Sequence, residues 1–145
     1  AIASYEKVIA WNPDHEAARL EYVFVLLRCS RWSEAAENFS ALRSKQLIDP
    51  KIAAAEVLID AANSMRTEAG HDSVLNSQQR ELRDAQGLML AGKWGEAMEK
   101  FIECLEKDRK HSSELIRKSM IAIFQFCKDP QLVGQYRRRL GALLN

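Results

Sequence analysis

Apolar residues recur along this chain at the three- and four-residue spacing of amphipathic helices. Ile52, Ala55, Val57, Leu58, Ile59 and Ala62 form a broad apolar face that runs to about Met65. Val74, Leu75, Leu82, Ala85, Leu88 and Met89 form the next, and Leu115, Ile116, Met120, Ile123 and Phe124 a third. Leu132, Val133, Tyr136, Leu140 and Leu143 form the last. The punctuation agrees with this period. All three prolines stand where a helix tolerates them, at its start. Asn12-Pro13-Asp14 opens a helix reaching about Cys29, Asp49 caps one beginning at Pro50, and Asp129-Pro130 opens the last. Ser33 is expected to cap a further helix and Ser112-Ser113 to begin another. Gly70-His71-Asp72-Ser73 reads as a break, and Ala91-Gly92-Lys93 as a helix end with a C-terminal glycine. The expected fold is all-α, with about eight helices, the first truncated, and no strand longer than a bridge.

A repeat underlies the pattern. Ala35, Phe39 and Leu42 have the same spacing and character as Ala97, Phe101 and Cys104, and as Ala1, Tyr5 and Val8. Arg31-Trp32-Ser33-Glu34-Ala35-Ala36-Glu37 aligns with Lys93-Trp94-Gly95-Glu96-Ala97-Met98-Glu99, and Val23 and Leu26 with Ala85 and Leu88. This resembles the tetratricopeptide repeat, a helix, a turn and a second helix in about 34 residues. In that family small residues sit where the paired helices cross, and Ala35 and Ala97 match that position. Large side chains there would hold the axes beyond the usual 8–10 Å or so. The two best copies stand about six residues short of two full periods apart, so a shortened, divergent unit is expected between them. The resemblance thus implies one domain, 1–145, stacked as a right-handed helical repeat. Residues 1–13 form a partial repeat, 14–48 a repeat, 49–92 the divergent helices, and 93–145 the last repeat helix with a C-terminal helix pair.

Composition supports helix. Alanine occurs 19 times, leucine 16 and threonine once among 145 residues, and these abundant types favour helix over strand. No apolar run reaches the roughly 18–20 residues of a membrane span. The net charge of +1 gives no bulk attraction to nucleic acid or membrane, and no aromatics stand at base-stacking spacing. Three distant cysteines fit a reducing cytoplasm and no disulfide. The chain opens Ala1-Ile2-Ala3-Ser4 without a signal-peptide pattern, and is expected to be a piece of a longer protein.

Reactive chemistry has little to build on. His15, His71 and His111 stand in separate segments, with no His-x₃-His or Cys-x₂-Cys spacing. His111 and Glu114, three apart, read as a solvated helix start. There is no glycine-rich phosphate loop and no nucleophile elbow, so no catalytic, cofactor or metal residue is expected. Cys104 falls at a core position. Cys29 and Cys127 lie at helix C-termini, where the dipole disfavours a thiolate. Trp32 and Trp94 read as corner packing between helices. Trp11 is expected to pack, with an exposed anchor as the alternative. Charge is uneven: residues 1–72 sum to −3 and residues 73–145 to +4. Arg137, Arg138 and Arg139 are expected to fan toward solvent from the last helix, as a solvated face or as a docking edge for an acidic partner.

Tetratricopeptide arrays bind protein through a concave face lined by the first helix of each repeat. Here the resemblance places Ala17, Leu20, Phe24, Leu27 and Arg28 there, followed by Gln79, Leu82, Gln86, Met89 and Leu90. The lysine and asparagine clamp that grips C-terminal carboxylates in one subtype is replaced by Leu20, Glu21 and Phe24. Residues 105–145 are similar to something narrower. Arg117-Lys118, Phe124, Asp129-Pro130-Gln131-Leu132-Val133 and Tyr136-Arg137-Arg138-Arg139-Leu140 resemble the C-terminal end of bacterial thioredoxin-like proteins with a tetratricopeptide tail, the chaperedoxins. Phe126-Cys127-Lys128 departs from that family's Leu-Gly step, and no Cys-x-x-Cys is present. The resemblance implies a non-catalytic module that binds an unfolded client or a chaperone. The alternative is a generic scaffold repeat from an unrelated assembly protein.

Overall fold

The computed structural model describes residues 2–12, 15–43, 50–69, 77–108, 110 and 112–144, with side chains of 50–69 only as far as Met65. Among them are eight helices and no strand: α1 (Ile2–Trp11), α2 (Glu16–Arg28), α3 (Trp32–Ser40), α4 (Pro50–Ala69), α5 (Ser77–Leu90), α6 (Trp94–Lys107), α7 (Ser113–Phe126) and α8 (Pro130–Leu144). The all-α fold expected from the pattern is the fold observed.

Helix starts follow the sequence in part. Asp129 Oδ1 accepts from the backbone N–H of Gln131 (3.1 Å) and of Leu132 (3.2 Å), so it caps α8. Pro50 is the first residue of α4. At α2 the cap is His15, whose Nδ1 accepts from Ala18 N–H at 3.1 Å. Ser33 does not cap α3 but lies inside it. The preceding position is Arg31, whose Nε donates to Glu34 at 2.8 Å. Pro13, Asp14, Asp49, the 70–73 break, Val74, Leu75 and His111 lie outside the described residues.

The two repeat copies end their first helices with the same turn. Ser30 N–H donates to the Leu27 carbonyl (3.1 Å) and Arg31 N–H to that of Leu26 (2.9 Å). Gly92 N–H donates to the Met89 carbonyl and Lys93 N–H to that of Leu88, both at 3.0 Å. These paired bonds satisfy the terminal carbonyls and require a left-handed residue. Gly92 has φ 79°, and Ser30 adopts φ 60° despite its Cβ.

Beyond each turn a second helix folds back, α3 on α2 and α6 on α5. Ala35 and Ala97 are fully buried at the close approaches, as are Phe39 and Phe101. Each buried large side chain contributes about 1.5–3 kcal/mol. Leu42 and Cys104 complete the buried set. The truncated first copy is weaker: α1 has no buried residue, and Val8 is exposed. Tyr5 stacks on Tyr22 with centroids 6.3 Å apart, and Tyr22 Oη donates to Glu6 at 3.0 Å.

The divergent middle changes the stacking. α4 touches α2, α3 and α5, and also packs extensively on α7, three helices on. With the α5–α6 and α6–α7 contacts this closes a ring of four helices, α4 to α7. α8 seals α6 and α7 through buried Val133, Tyr136 and Leu140.

The packing has consequences for stability at the crossings and the turns. Ala97→Leu is expected to cost about 1–3 kcal/mol by overpacking, whereas Ala142→Leu on the exposed side of α8 stays within about 0.5 kcal/mol. Ser30→Gly is expected to stabilise by about 0.5–1 kcal/mol, because the left-handed cost of a side chain exceeds the extra chain entropy of glycine. Gly92→Ala destabilises by about 1 kcal/mol or more, because a Cβ is strained at φ 79° and would also stand 3.1 Å from Arg28 Nε. Denaturant melts of the four variants check both expectations.

A candidate docking groove and the basic C-terminal edge

α2 presents one stripe of side chains, Ala17, Leu20, Phe24 and Arg28, to an open groove of about 630 Å³. The opposite wall is not α5. It is the start of α4 (Lys51, Ile52), Trp94 of α6, and Phe126 with Cys127 and Lys128 at the end of α7. Phe24 and Phe126 meet edge to face with centroids 4.4 Å apart, and Trp94 lies 5.9 Å from Phe126. Such aromatic pairs contribute about 0.5–1.5 kcal/mol beyond their burial. All three rings are only half-buried, so they give the groove an apolar floor with solvent access. Glu16 and Glu21 line it on α2, and Arg28, Lys51 and Lys128 add positive charge.

The expected lining is therefore gathered only in part. Leu20 and Phe24 line the groove, and Arg28 stands exposed at its edge. Leu27 does not: it is 3% exposed, because Val23, Leu26 and Leu27 turn inward to the core. Gln86 and Met89 are likewise buried, along with Leu90, because α6 folds onto that side of α5. Leu82 and Gln79 line a separate pocket of about 590 Å³ beside Cys104, where Lys107 Nζ donates to Glu81 at 2.8 Å. One continuous concave lining is thus replaced by two separate recesses. Trp94, Phe126 and Lys128 were not among the expected lining residues. Phe126 gives no periodic signal, because it sits where the helical pattern of α7 ends.

The arginines also divide. Arg138 is exposed, and the exposed Arg137 lies with its guanidinium 5.2 Å over the Phe124 ring. Arg139 does not fan outward. Its Nη1 donates to Glu99 Oε2 at 2.6 Å, and Tyr136 Oη donates to the same oxygen at 2.7 Å. The Arg139 hydrogen bond, then that of Tyr136, holds the Glu99 carboxyl below the usual range. Burial, reinforced by Glu99, pushes the Tyr136 phenol up to about 12. This network ties α8 to α6.

The remaining candidates are structural or plainly exposed. Trp32 Nε1 donates to the Leu27 carbonyl at 3.3 Å. Trp11 does not pack: it is 90% exposed, because α1 offers no covered face at that position. Burial pushes the Cys104 thiol up, Cys29 is exposed and Cys127 is half-buried. Among the described residues no cluster of His, Cys, Asp and Glu is arranged to hold a metal ion. No described helix is long and apolar enough to cross a membrane.

A family model described as a tetratricopeptide repeat matches residues 60–145, from the middle of α4 to the end of the chain. The chain belongs to the tetratricopeptide repeat family. No curated protein and no solved structure matches it significantly. Tetratricopeptide repeats mediate protein–protein interaction, and an open groove floored by aromatic rings on a rigid helical frame fits that role.

The Glu99 network sets a pH dependence. A carboxyl held low in the folded state stabilises above its unfolded pKa and loses this as pH falls through the folded value. A phenol held high stabilises below about pH 10 and loses this as pH rises toward 12. The stability gap between wild type and Glu99→Gln is expected to shrink on acidification below about pH 4. The tyrosinate absorbance of wild type is expected to show a component delayed to about pH 12 that Tyr136→Phe removes. Chemical denaturation across pH and an ultraviolet titration check the two.

Proposed function

We propose that this tetratricopeptide domain is the client- or chaperone-binding tail of a cytoplasmic thioredoxin-like chaperone, acting by binding and not by catalysis. The observation that carries the binding reading is the groove around Phe24, Phe126 and Trp94. It leaves aromatic surface accessible between two helical layers, where an exposed apolar segment of an unfolded chain gains burial of about 25 cal/mol per Å². The chaperedoxin-like ending over 105–145 supports the choice of parent protein. The proposed units, 1–13, 14–48, 49–92 and 93–145, follow the same reading. Leu20, Phe24 and Arg28 are assigned to the contact surface. Leu27 backs it from the buried side of α2, Gln86 and Met89 lie buried on α5, which does not line it, and Leu82 belongs to the other recess.

Apolar capture and basic docking respond oppositely to salt. Burial persists at high ionic strength, whereas surface charge attraction decays as the Debye length falls to about 3 Å at 1 M. The domain is expected to reduce light scattering by a denatured client at low and high salt alike. Phe24→Glu removes this, and Arg137→Glu with Arg138→Glu leaves it intact. Arg139 is spared because it is bound to Glu99. Circular dichroism of each variant separates lost binding from lost fold. A wild-type domain without effect on scattering ends the chaperone-tail reading, and a scaffold in an unrelated assembly takes its place.

A further inference from the structure

α7 and α8 meet only along a short stretch: α7 packs chiefly on α4 and also on α6, and α8 chiefly on α6. Between them lies a trough of about 280 Å³. One wall is the α7 stripe Arg117, Ile121 and Phe124, and the other is the α8 stripe Arg137, Leu140 and Leu144. Ile121 is 41% and Leu144 40% exposed, so the apolar walls face solvent. Between the two helices, at Gly141, a Cβ would meet nothing within 4 Å. The α7 stripe steps i, i+4, i+7 and the α8 stripe i, i+3, i+7, spacings that offer ridges to another helix. In a helical array such a trough between two helices is where a further helix packs, and no described helix of this chain fills it.

The charge around the trough is one-sided. α7 and α8 together carry a single carboxylate, Glu114, against Arg117, Lys118, Arg137, Arg138 and Arg139. Glu114 is 3.8 Å from Arg117 and 3.9 Å from Lys118, and Arg139 is taken by Glu99. Arg117 and Arg137 thus flank an apolar trough, and Arg137 is held in place over Phe124. We propose that this trough seats an acidic amphipathic helix of another protein. Its apolar ridge would fill the space over Gly141, and its carboxylates would meet Arg117 and Arg137. The surface is distinct from the Phe24 groove, and the proposal stands without the chaperone-tail reading.

The test uses a dye-labelled synthetic amphipathic helix with leucine on one face and glutamate on the other, and a twin carrying lysine for glutamate. Fluorescence anisotropy is expected to show binding of the acidic peptide and at least roughly tenfold weaker binding of the twin. Gly141→Leu projects a side chain into the trough from a position where a Cβ meets nothing within 4 Å, and replaces glycine by a better helix former. It is expected to lower affinity by roughly tenfold or more while raising the melting midpoint. Arg117→Glu with Arg137→Glu, both at exposed positions, is expected to do the same to affinity and serves if Gly141→Leu perturbs the fold. Phe24→Glu leaves this affinity unchanged, which separates the trough from the groove. Equal binding of the two peptides, absence of binding, or full affinity in Gly141→Leu and the double arginine variant overturns the proposal. So does a wild-type dimer that Gly141→Leu returns to monomer, since a second copy would then occupy the trough.

Discussion

Helix α4 buries Ala54, Ala55, Ala61 and Ala62 together with Ile52, Leu58 and Ile59, a set that spreads over roughly half of its circumference. Four neighbours, α2, α3, α5 and α7, pack against it. Alanine makes this feasible, because a helix crowded by large side chains cannot be approached closely from several directions. Each hairpin, α2–α3 and α5–α6, has its own buried alanine and phenylalanine, but neither buries a large core alone. Their union runs chiefly through α4, so the positions of Phe24 in one hairpin and Trp94 in the other depend on this one small-residue contact.

The groove is a product of that union. Because α7 packs on α4, its C-terminal end reaches back to α2, and Phe126 comes edge to face with Phe24. The aromatic floor is thus shared by residues more than a hundred positions apart, held by helices whose own cores are full. The basic surface has another origin. Arg139 is taken up by the Glu99 and Tyr136 network that fixes α8, while Arg137 and Arg138 remain outside it. Structural and recognition roles therefore separate within three consecutive arginines.

What was legible in the sequence was local. The hairpins, their crossing alanines and the Gly92 turn are set by contacts within one repeat, and the helical period with its punctuation marks them; the matching turn at Ser30 carries no glycine to mark it. The α4–α7 contact is long-range and leaves no periodic trace, so a purely sequential stack was the natural expectation. That assumption placed α5 beside α2 in one concave surface and sent Gln86 and Met89 to the wrong side of their helix. Leu20, Phe24 and Arg28 line the groove together because they share a single face of α2. Leu27 failed because an apolar residue next to the stripe is equally compatible with the core. Ser33 does not cap because the helix begins two residues earlier than such a cap requires, at Trp32 with Arg31 before it.

A linear array whose units touch only their neighbours can unzip from either end, one repeat at a time. The closed cycle from α4 to α7 removes that freedom over its length. Opening any one of its four helices breaks packing against two partners at once, while the chain entropy gained is that of a single helix. Local opening is therefore expected to concentrate at α1, which has no fully buried residue, while the cycle is expected to open as one cooperative unit. The Phe24 groove lies across the seam between that unit and the N-terminal hairpin, so its two walls belong to different cooperative layers of the same fold.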